Sequence, residues 1–193
     1  MRLTVLAFDQ SLKHTGWAVF IAPGEPASIK TGSFSCGKAK DSNAAADLFA
    51  ITIKRLASHH HADFFAWERA KPHISAYGKK HAVDLAGHRG GGWTVNAAQL
   101  ILPELQGIIR GAARAYGKPY ASAYPSTWRA AVIGGGAGKF TTTQAKAAAK
   151  RHCRMLHIRF ANEHEAEAAC IALWAASSPE FKLALDAAKA RAT

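Results

Sequence analysis

The chain has 193 residues, 49% of them hydrophobic, and 25 Lys and Arg against 13 Asp and Glu give a formal net charge of +12. This composition excludes a disordered chain and favours one hydrophobic core in a single domain, residues 1–193. No stretch approaches the ~20 apolar residues of a membrane span, and the N-terminus lacks a secretory pattern, so we expect a soluble intracellular protein.

The N-terminal third predicts three strands. The apolar run 3–8 is short and β-rich and ends at Asp9, and residues 17–21 form a second such run, so together they predict a β-hairpin with a carboxylate at its mouth. Residues 27–34 predict a third strand. Taken alone, Asp9 is more often a turn residue than a functional one.

A helix and a second carboxylate follow. Residues 42–58 predict an amphipathic helix whose inward face carries Leu48, Ile51, Thr52 and Leu56, and residues 63–67 predict a buried strand that ends at Glu68. Residues 71–93 are basic and rich in glycine, and we interpret them as an inserted flexible loop.

The C-terminal half alternates helices with one strand. The pattern predicts a helix over 96–116 that contains Pro103, a strand over 118–124, helices over 141–154 and 162–176, and a helical tail over 179–193. The fold class predicted is therefore α/β: a mixed sheet, antiparallel in its first three strands and then parallel, flanked by helices. Cys36, Cys153 and Cys170 are odd in number and widely spaced, which predicts reduced packing residues.

His164 and Glu167 are three residues apart in the helix over 162–176, so they lie about 60° apart on one face. Glu163 precedes Glu167 by one turn and is a further candidate ligand, whereas Glu165 points away and is expected to be solvated. The alternative is that these residues form the wet side of an amphipathic helix.

The order of these features resembles the RNase H-like nucleases, and among them the RuvC group of Holliday junction resolvases. The resemblance rests on four segments: Phe8-Asp9-Gln10-Ser11 with Thr15-Gly16, Ala66-Trp67-Glu68, Tyr124-Pro125-Ser126-Thr127-Trp128-Arg129, and His164-Glu165-Ala166-Glu167. Glu167 departs from the usual Asp. Arg69-Ala70-Lys71 stand where many members have an aromatic wedge, and with the segment 71–93 this suggests a phage-type or broader branched-DNA nuclease.

The resemblance implies a crossover junction endodeoxyribonuclease that makes paired symmetric nicks and leaves 5′-phosphate ends. It implies two Mg²⁺ or Mn²⁺ ions per active site, with Asp9, Glu68, His164 and Glu167 as ligands, Glu163 as a possible further ligand, and Lys139 as a catalytic cation. It also implies a homodimer, for which the helix over 96–116 is our candidate interface, acting on four-way junctions, forks or flaps in the cytoplasm of a bacterial cell or a phage-infected host.

The basic composition independently favours a phosphate-rich partner. The residues that we expect to contact DNA are Ser11, Lys71, Lys79, Lys80, Arg89, Trp93, Arg129, Lys139 and Lys146. Two other classes stay open at this point. The first is a non-catalytic or less specific nucleic-acid-binding relative, and the second is a fragment of an actin-like or sugar-kinase-fold ATPase, whose fold also begins with a strand, an Asp and a hairpin.

Overall fold

The computed structural model describes residues 1–37, 41–70, 76–78, 93–95 and 97–192, with the backbone alone for 76–78, 93–95 and 97–100. The strands are β1 (Leu3–Asp9), β2 (Thr15–Ala22), β3 (Lys30–Phe34), β4 (Phe64–Glu68), β5 (Ala76–Gly78), β6 (Trp93–Val95) and β7 (Tyr120–Ala123). The helices are α1 (Ser42–His59), α2 (Ala97–Ala115), α3 (Pro125–Val132), α4 (Thr142–Met155), α5 (Glu163–Ser177) and α6 (Pro179–Ala190).

Five strands form one mixed sheet in the order β3-β2-β1-β4-β7. β2 runs antiparallel to both β1 and β3, whereas β4 is parallel to β1 and β7 is parallel to β4. The predicted fold class is therefore confirmed. β5 and β6 pair in a separate two-stranded antiparallel sheet, so two short strands lie where the sequence suggested a loop; the rest of 71–92 lies outside the described residues.

The sheet separates two hydrophobic clusters. On one face, Phe49 and Ile53 of α1 and Leu105 and Ile109 of α2 pack against β1 and β4. On the other face, α4, α5 and α6 pack against the alternate residues of the same strands, together with the fully buried Trp128 of α3. The result is a three-layer α/β/α arrangement, with α5 lying across β1 and β2.

The inward face of α1 differs from the prediction. Leu48 and Ile51 are 41% and 47% exposed, so placing them inward was wrong. The buried stripe is one residue further along the helix and consists of Ala45, Phe49, Ile53 and Ala57. Two of the four residues in this stripe are alanines, which a search for large apolar residues does not detect.

Three smaller points complete the fold. The short helix α3 was not predicted, although Pro125 at its first position is a known helix-start signal. The cysteines are buried and free, as expected, and the Sγ atoms of Cys153 and Cys170 lie 4.0 Å apart. Among the described residues, none of the helices combines the length and the apolar character needed to cross a lipid bilayer.

Candidate metal centre

Two carboxylates leave neighbouring parallel strands at the same end of the sheet. The register of β1 and β4 pairs Phe8 with Trp67, so the next residues, Asp9 and Glu68, emerge side by side. Because the carboxyl ends of parallel strands meet at one edge, this placement follows directly from the strand pairing.

Helix α5 brings the other two candidates to this edge. Asn162 caps the helix by accepting a hydrogen bond from the backbone N–H of Glu165. The first turn of α5 then packs on β2 so closely that a Cβ at Gly16 would lie 2.1 Å from the carbonyl oxygen of His164. Only glycine permits this approach, which places His164 and Glu167 beside Asp9.

Asp9, His164 and Glu167 form a compact cluster. Each offers one ligand atom, and these atoms all lie within 4.8 Å of one another. His164 Nδ1 lies 2.7 Å from Asp9 Oδ2, and this hydrogen bond raises the pKa of His164. The Asp9 carboxylate therefore favours the protonated form of the imidazole, in which Nδ1–H donates to Oδ2.

Glu68 lies beside the cluster and is held by residues of α3. Trp128 Nε1 donates a hydrogen bond of 2.9 Å to Glu68 Oε2. Arg129 Nη2 lies 3.2 Å from Glu167 Oε1 and 3.8 Å from Glu68 Oε2, so one guanidinium sits between two carboxylates. In this structure Arg129 is a counter-ion of these two carboxylates, and its expected contact with DNA stays a prediction.

The cluster carries more negative charge than its surroundings compensate. Burial, and then the charge of Asp9, raises the pKa of Glu68 to about 7 and that of Glu167 to about 8, although Arg129 acts in the opposite direction on both. Gln10 Oε1 is also buried without a hydrogen-bond partner among the described residues. Crowded hard oxygen donors of this kind are the preferred surroundings of Mg²⁺ or Mn²⁺.

The two remaining glutamates of the first turn behave differently from each other. Glu163 accepts a hydrogen bond of 3.3 Å from Lys146 Nζ and is not among the three clustered ligands. Its pKa is lowered by hydrogen bonds from its own backbone N–H and from Lys146. Glu165 is not solvated as expected: it is buried and bonded to β3.

The residues predicted to contact DNA lie in several places. Ser11 lies in the β1–β2 turn, where its backbone N–H donates to Thr15 Oγ1. Lys139 ends a short 3₁₀ turn and is exposed, and Lys146 lies on α4. The others are outside the described residues or, for Trp93, described by backbone alone: Lys71, Lys79, Lys80, Arg89 and Trp93.

Three further side chains shape the centre: Gln10 and Trp128 were given no role from the sequence, and Arg129 was expected only to contact DNA. Gln10 donates through Nε2 to the carbonyl oxygen of Glu68 and thereby ties the ends of β1 and β4 together. Trp128 orients Glu68, and Arg129 neutralises part of the charge. For Trp128 and Arg129 the sequence signal was their position after a helix-starting proline. That signal does not reveal the direction of the helix.

Comparison with solved structures identifies the fold. No family model matches the chain, and no curated protein matches its sequence. Thermus thermophilus RuvC superposes with a TM-score of 0.59 at 15% identity, covering 89% of this chain and 92% of RuvC. The chain has the RuvC fold.

Two further solved structures agree. The same Thermus thermophilus RuvC in complex with a Holliday junction substrate gives a TM-score of 0.61 at 15% identity, with the same coverage of both chains. The yeast mitochondrial Holliday junction resolvase Ydc2 gives 0.55 at 14% identity, covering 94% of this chain and 80% of Ydc2. The fold predicted from the motifs is thus confirmed as the RuvC version of the RNase H-like fold.

Proposed function

We propose that the protein is a metal-dependent endonuclease that hydrolyses phosphodiester bonds in branched DNA, with the Holliday junction as its substrate and paired nicks as its product. One observation carries the proposal: on a RuvC fold, Asp9, His164 and Glu167 converge within 4.8 Å of one another at the carboxyl end of the sheet. The net charge of +12 is consistent with a polyanionic substrate.

The donor set fits a divalent ion. Asp9, His164 and Glu167 would hold one ion, and Glu68 with Asp9 would hold a second. The raised pKa values of Glu68 and Glu167 are the mark of carboxylates that lack a full complement of positive charge. When bound, two such ions supply an activated water and stabilisation of the leaving oxygen.

The chain's own residues supply orientation and positive charge. Trp128 fixes the rotamer of Glu68, and Gln10 holds the two strand ends together. Arg129 shares its guanidinium between Glu68 and Glu167. Lys139 lies in the connection between α3 and α4, and Lys146 lies on α4 beside Glu163; we assign both to the phosphates of the scissile strand.

The first test compares the wild type with Asp9→Asn on a labelled four-way junction in Mg²⁺ and in Mn²⁺. We expect cleavage to fall by about 1,000-fold or more, because an ion contributes several kcal/mol to the transition state and 1.36 kcal/mol is a factor of ten. Junction affinity in EDTA should stay within a few-fold. A variant that cuts as fast as the wild type would remove the metal centre from the mechanism, and absence of cutting by both proteins would favour a non-catalytic binding protein.

The substrate is tested with matched DNAs of one sequence: a four-way junction, a Y-fork, a flap and a linear duplex. We expect symmetric nicks in the junction and slow cutting of the duplex. Equal rates on all four would contradict junction resolution. ATP hydrolysis without DNA would instead favour the actin-like class.

Paired nicks require two active sites, so we propose a homodimer formed through α2 (Ala97–Ala115). Light scattering on the purified chain should give twice the mass of 20.6 kDa. Charge substitution at the exposed Glu104 of α2, Glu104→Arg, should convert it to a monomer that nicks one strand at a time. A wild type that is monomeric both free and on the junction would exclude this arrangement.

A further inference from the structure

A groove lies beyond the cluster, between the C-terminal half of α4 and the loop before α5. The groove has a volume of about 560 Å³, and its lining includes three cations, Lys150, Arg154 and Arg159, the ring of Phe160 and one carboxylate, that of Glu163. None of the three cations is among the residues expected from the sequence to contact DNA. We propose that this groove binds the phosphate backbone of a substrate arm, an inference that rests on the proposed nuclease function.

Local structure builds the groove and fixes its shape. Helix α4 ends as His157 adopts a left-handed conformation (φ 57°), and the chain reverses as Ile158 N–H donates to the carbonyl oxygen of Cys153. The loop is then held to the sheet, because Thr31 Oγ1 donates to the Arg159 carbonyl oxygen. The groove is therefore a preformed feature tied to both neighbouring elements.

The cations of the groove are free to bind an anion. Among the described residues, no ion pair involves Lys150, Arg154 or Arg159, whereas Lys146, one turn earlier on α4, is paired with Glu163. The Arg154 guanidinium rests over the Phe160 ring, 5.7 Å from its centroid, which limits its rotamers. The helix dipole accounts for a cation near the end of α4, but Lys150 lies in the helix interior and Arg159 beyond its end.

The spacing of the cations matches a nucleic-acid backbone that leaves the metal centre. Lys146, Lys150 and Arg154 are each one turn apart on the same face of α4, so the row spans about 12 Å. Its first member contacts Glu163, the neighbour of the cluster residue His164. Duplex DNA rises about 3.4 Å per base pair, so the row would follow phosphates for about three to four base pairs from the cleavage point.

The test is the salt dependence of binding, measured in EDTA by fluorescence anisotropy with a labelled four-way junction. The variant Lys150→Gln/Arg154→Gln keeps the side-chain stems and removes two charges. Its matched control, Lys54→Gln/Arg55→Gln, removes one Lys and one Arg from exposed positions of α1 on the opposite face of the sheet.

We expect the slope of log Kd against log salt to fall by about 1.8 in the groove variant, at about 0.9 per phosphate contact, and affinity at 0.1 M salt to fall roughly 50-fold. The control should keep the wild-type slope, and adding Arg159→Gln should lower the groove variant's slope by about 0.9 more. An unchanged slope in the groove variant, or an equal loss in the control, would overturn the proposal.

The design separates failure of the nuclease proposal from failure of the groove proposal, and it separates nucleic acid from acidic polypeptide as the ligand. Because binding is measured without metal, a protein that never cuts DNA can still show the slope change, so failure of the nuclease proposal is distinguishable from failure of the groove. Polyglutamate of matched charge is the second probe. If the groove variant loses affinity for polyglutamate but keeps its affinity for the junction, the groove recognises acidic polypeptides and the nucleic-acid assignment is overturned.

Discussion

Glu165 and Glu167 are two residues apart on α5 and equally buried, at 5% and 4% exposure, yet their surroundings are opposite. Glu165 accepts hydrogen bonds from the hydroxyls of Thr31 and Ser33, from the backbone N–H of Ala161 and from the side chain of Asn162. Among the residues that the structure describes, Glu167 has one ion-pair partner, Arg129, which it shares with Glu68, and it faces the charge of Asp9.

This difference separates a structural carboxylate from a proposed metal ligand. Four donors converge on Glu165, so it fastens the start of α5 to β3 and needs no ion. Glu167 is buried with too few donors and too many like charges, which is unfavourable for a purely structural group. Burial of an acid alone therefore does not mark a site, and it is the balance of donors around the acid that does.

The largest expected effect is on catalysis at Glu167. Glu167→Gln removes a proposed metal ligand and the charge that opposes Asp9, so we expect cleavage in Mg²⁺ to fall by about 100- to 1,000-fold. The melting temperature in EDTA should hold or rise. Single-turnover assays measure the cleavage rate, and calorimetry measures the melting temperature. A variant that is strongly destabilised but cuts at the wild-type rate would reverse the roles of Glu165 and Glu167.

Gly16→Ala tests the contact on which the position of α5 depends. The added Cβ would lie 2.1 Å from the His164 carbonyl oxygen, so either the helix shifts or the strand does. We expect a loss of about 3 kcal/mol in the free energy of unfolding, with reduced cleavage by the folded fraction. Gly107→Ala is the control, since a Cβ there meets nothing within 4 Å. Equal stability of the two variants would contradict the close packing.

Glu165→Gln should act on stability alone. The amide keeps the shape of the side chain but turns one acceptor into a donor facing donors, at a cost of about 1–3 kcal/mol. The turnover of the folded protein should stay within about threefold of the wild type, because Glu165 is bonded to β3 and its loop, outside the cluster. Urea unfolding and cleavage assays at a permissive temperature decide the matter. A selective loss of activity without destabilisation would assign Glu165 to the metal centre.

The smallest expected effect is the pH dependence of stability without metal. An ordinary Glu has a pKa near 4.3, whereas burial and Asp9 raise those of Glu68 and Glu167 to about 7 and about 8. The folded state holds the extra protons, so its stability is full below about pH 4.3 and falls as pH rises to about 8. We expect the melting temperature in EDTA to drop on the order of 5 °C between pH 5 and pH 8.

The matched variant for this measurement is Glu167→Gln, whose melting temperature in EDTA should fall less between pH 5 and pH 8. Stabilisation by Mn²⁺ should show the reverse trend and increase with pH, because the ligands bind the ion in their ionised form. A wild type whose stability in EDTA rises over the same range would show that the carboxylates are fully compensated.

The sequence was sufficient for the parts of the centre that depend on local patterns. Asp9 and Glu68 end short apolar runs, and His164 and Glu167 share a helix face at a period of 3.6 residues, so the element that carries each residue follows from a local pattern. The position of the Arg129 guanidinium between Glu68 and Glu167 could not be predicted from the sequence, because it depends on how α3 crosses the strand ends. Glu165 was misjudged because α5 is packed on several sides, and a helix buried in this way has no solvated face for a polar residue to occupy.

The separation of the ligands along the chain has a consequence for biosynthesis. Asp9 and His164 lie 155 positions apart and meet through a hydrogen bond. A ribosome-bound chain that has not yet released α5 has two carboxylates at the strand ends and neither of the groups that complete their pocket. A protein that cuts DNA would therefore stay harmless until nearly its whole length has been synthesised and folded.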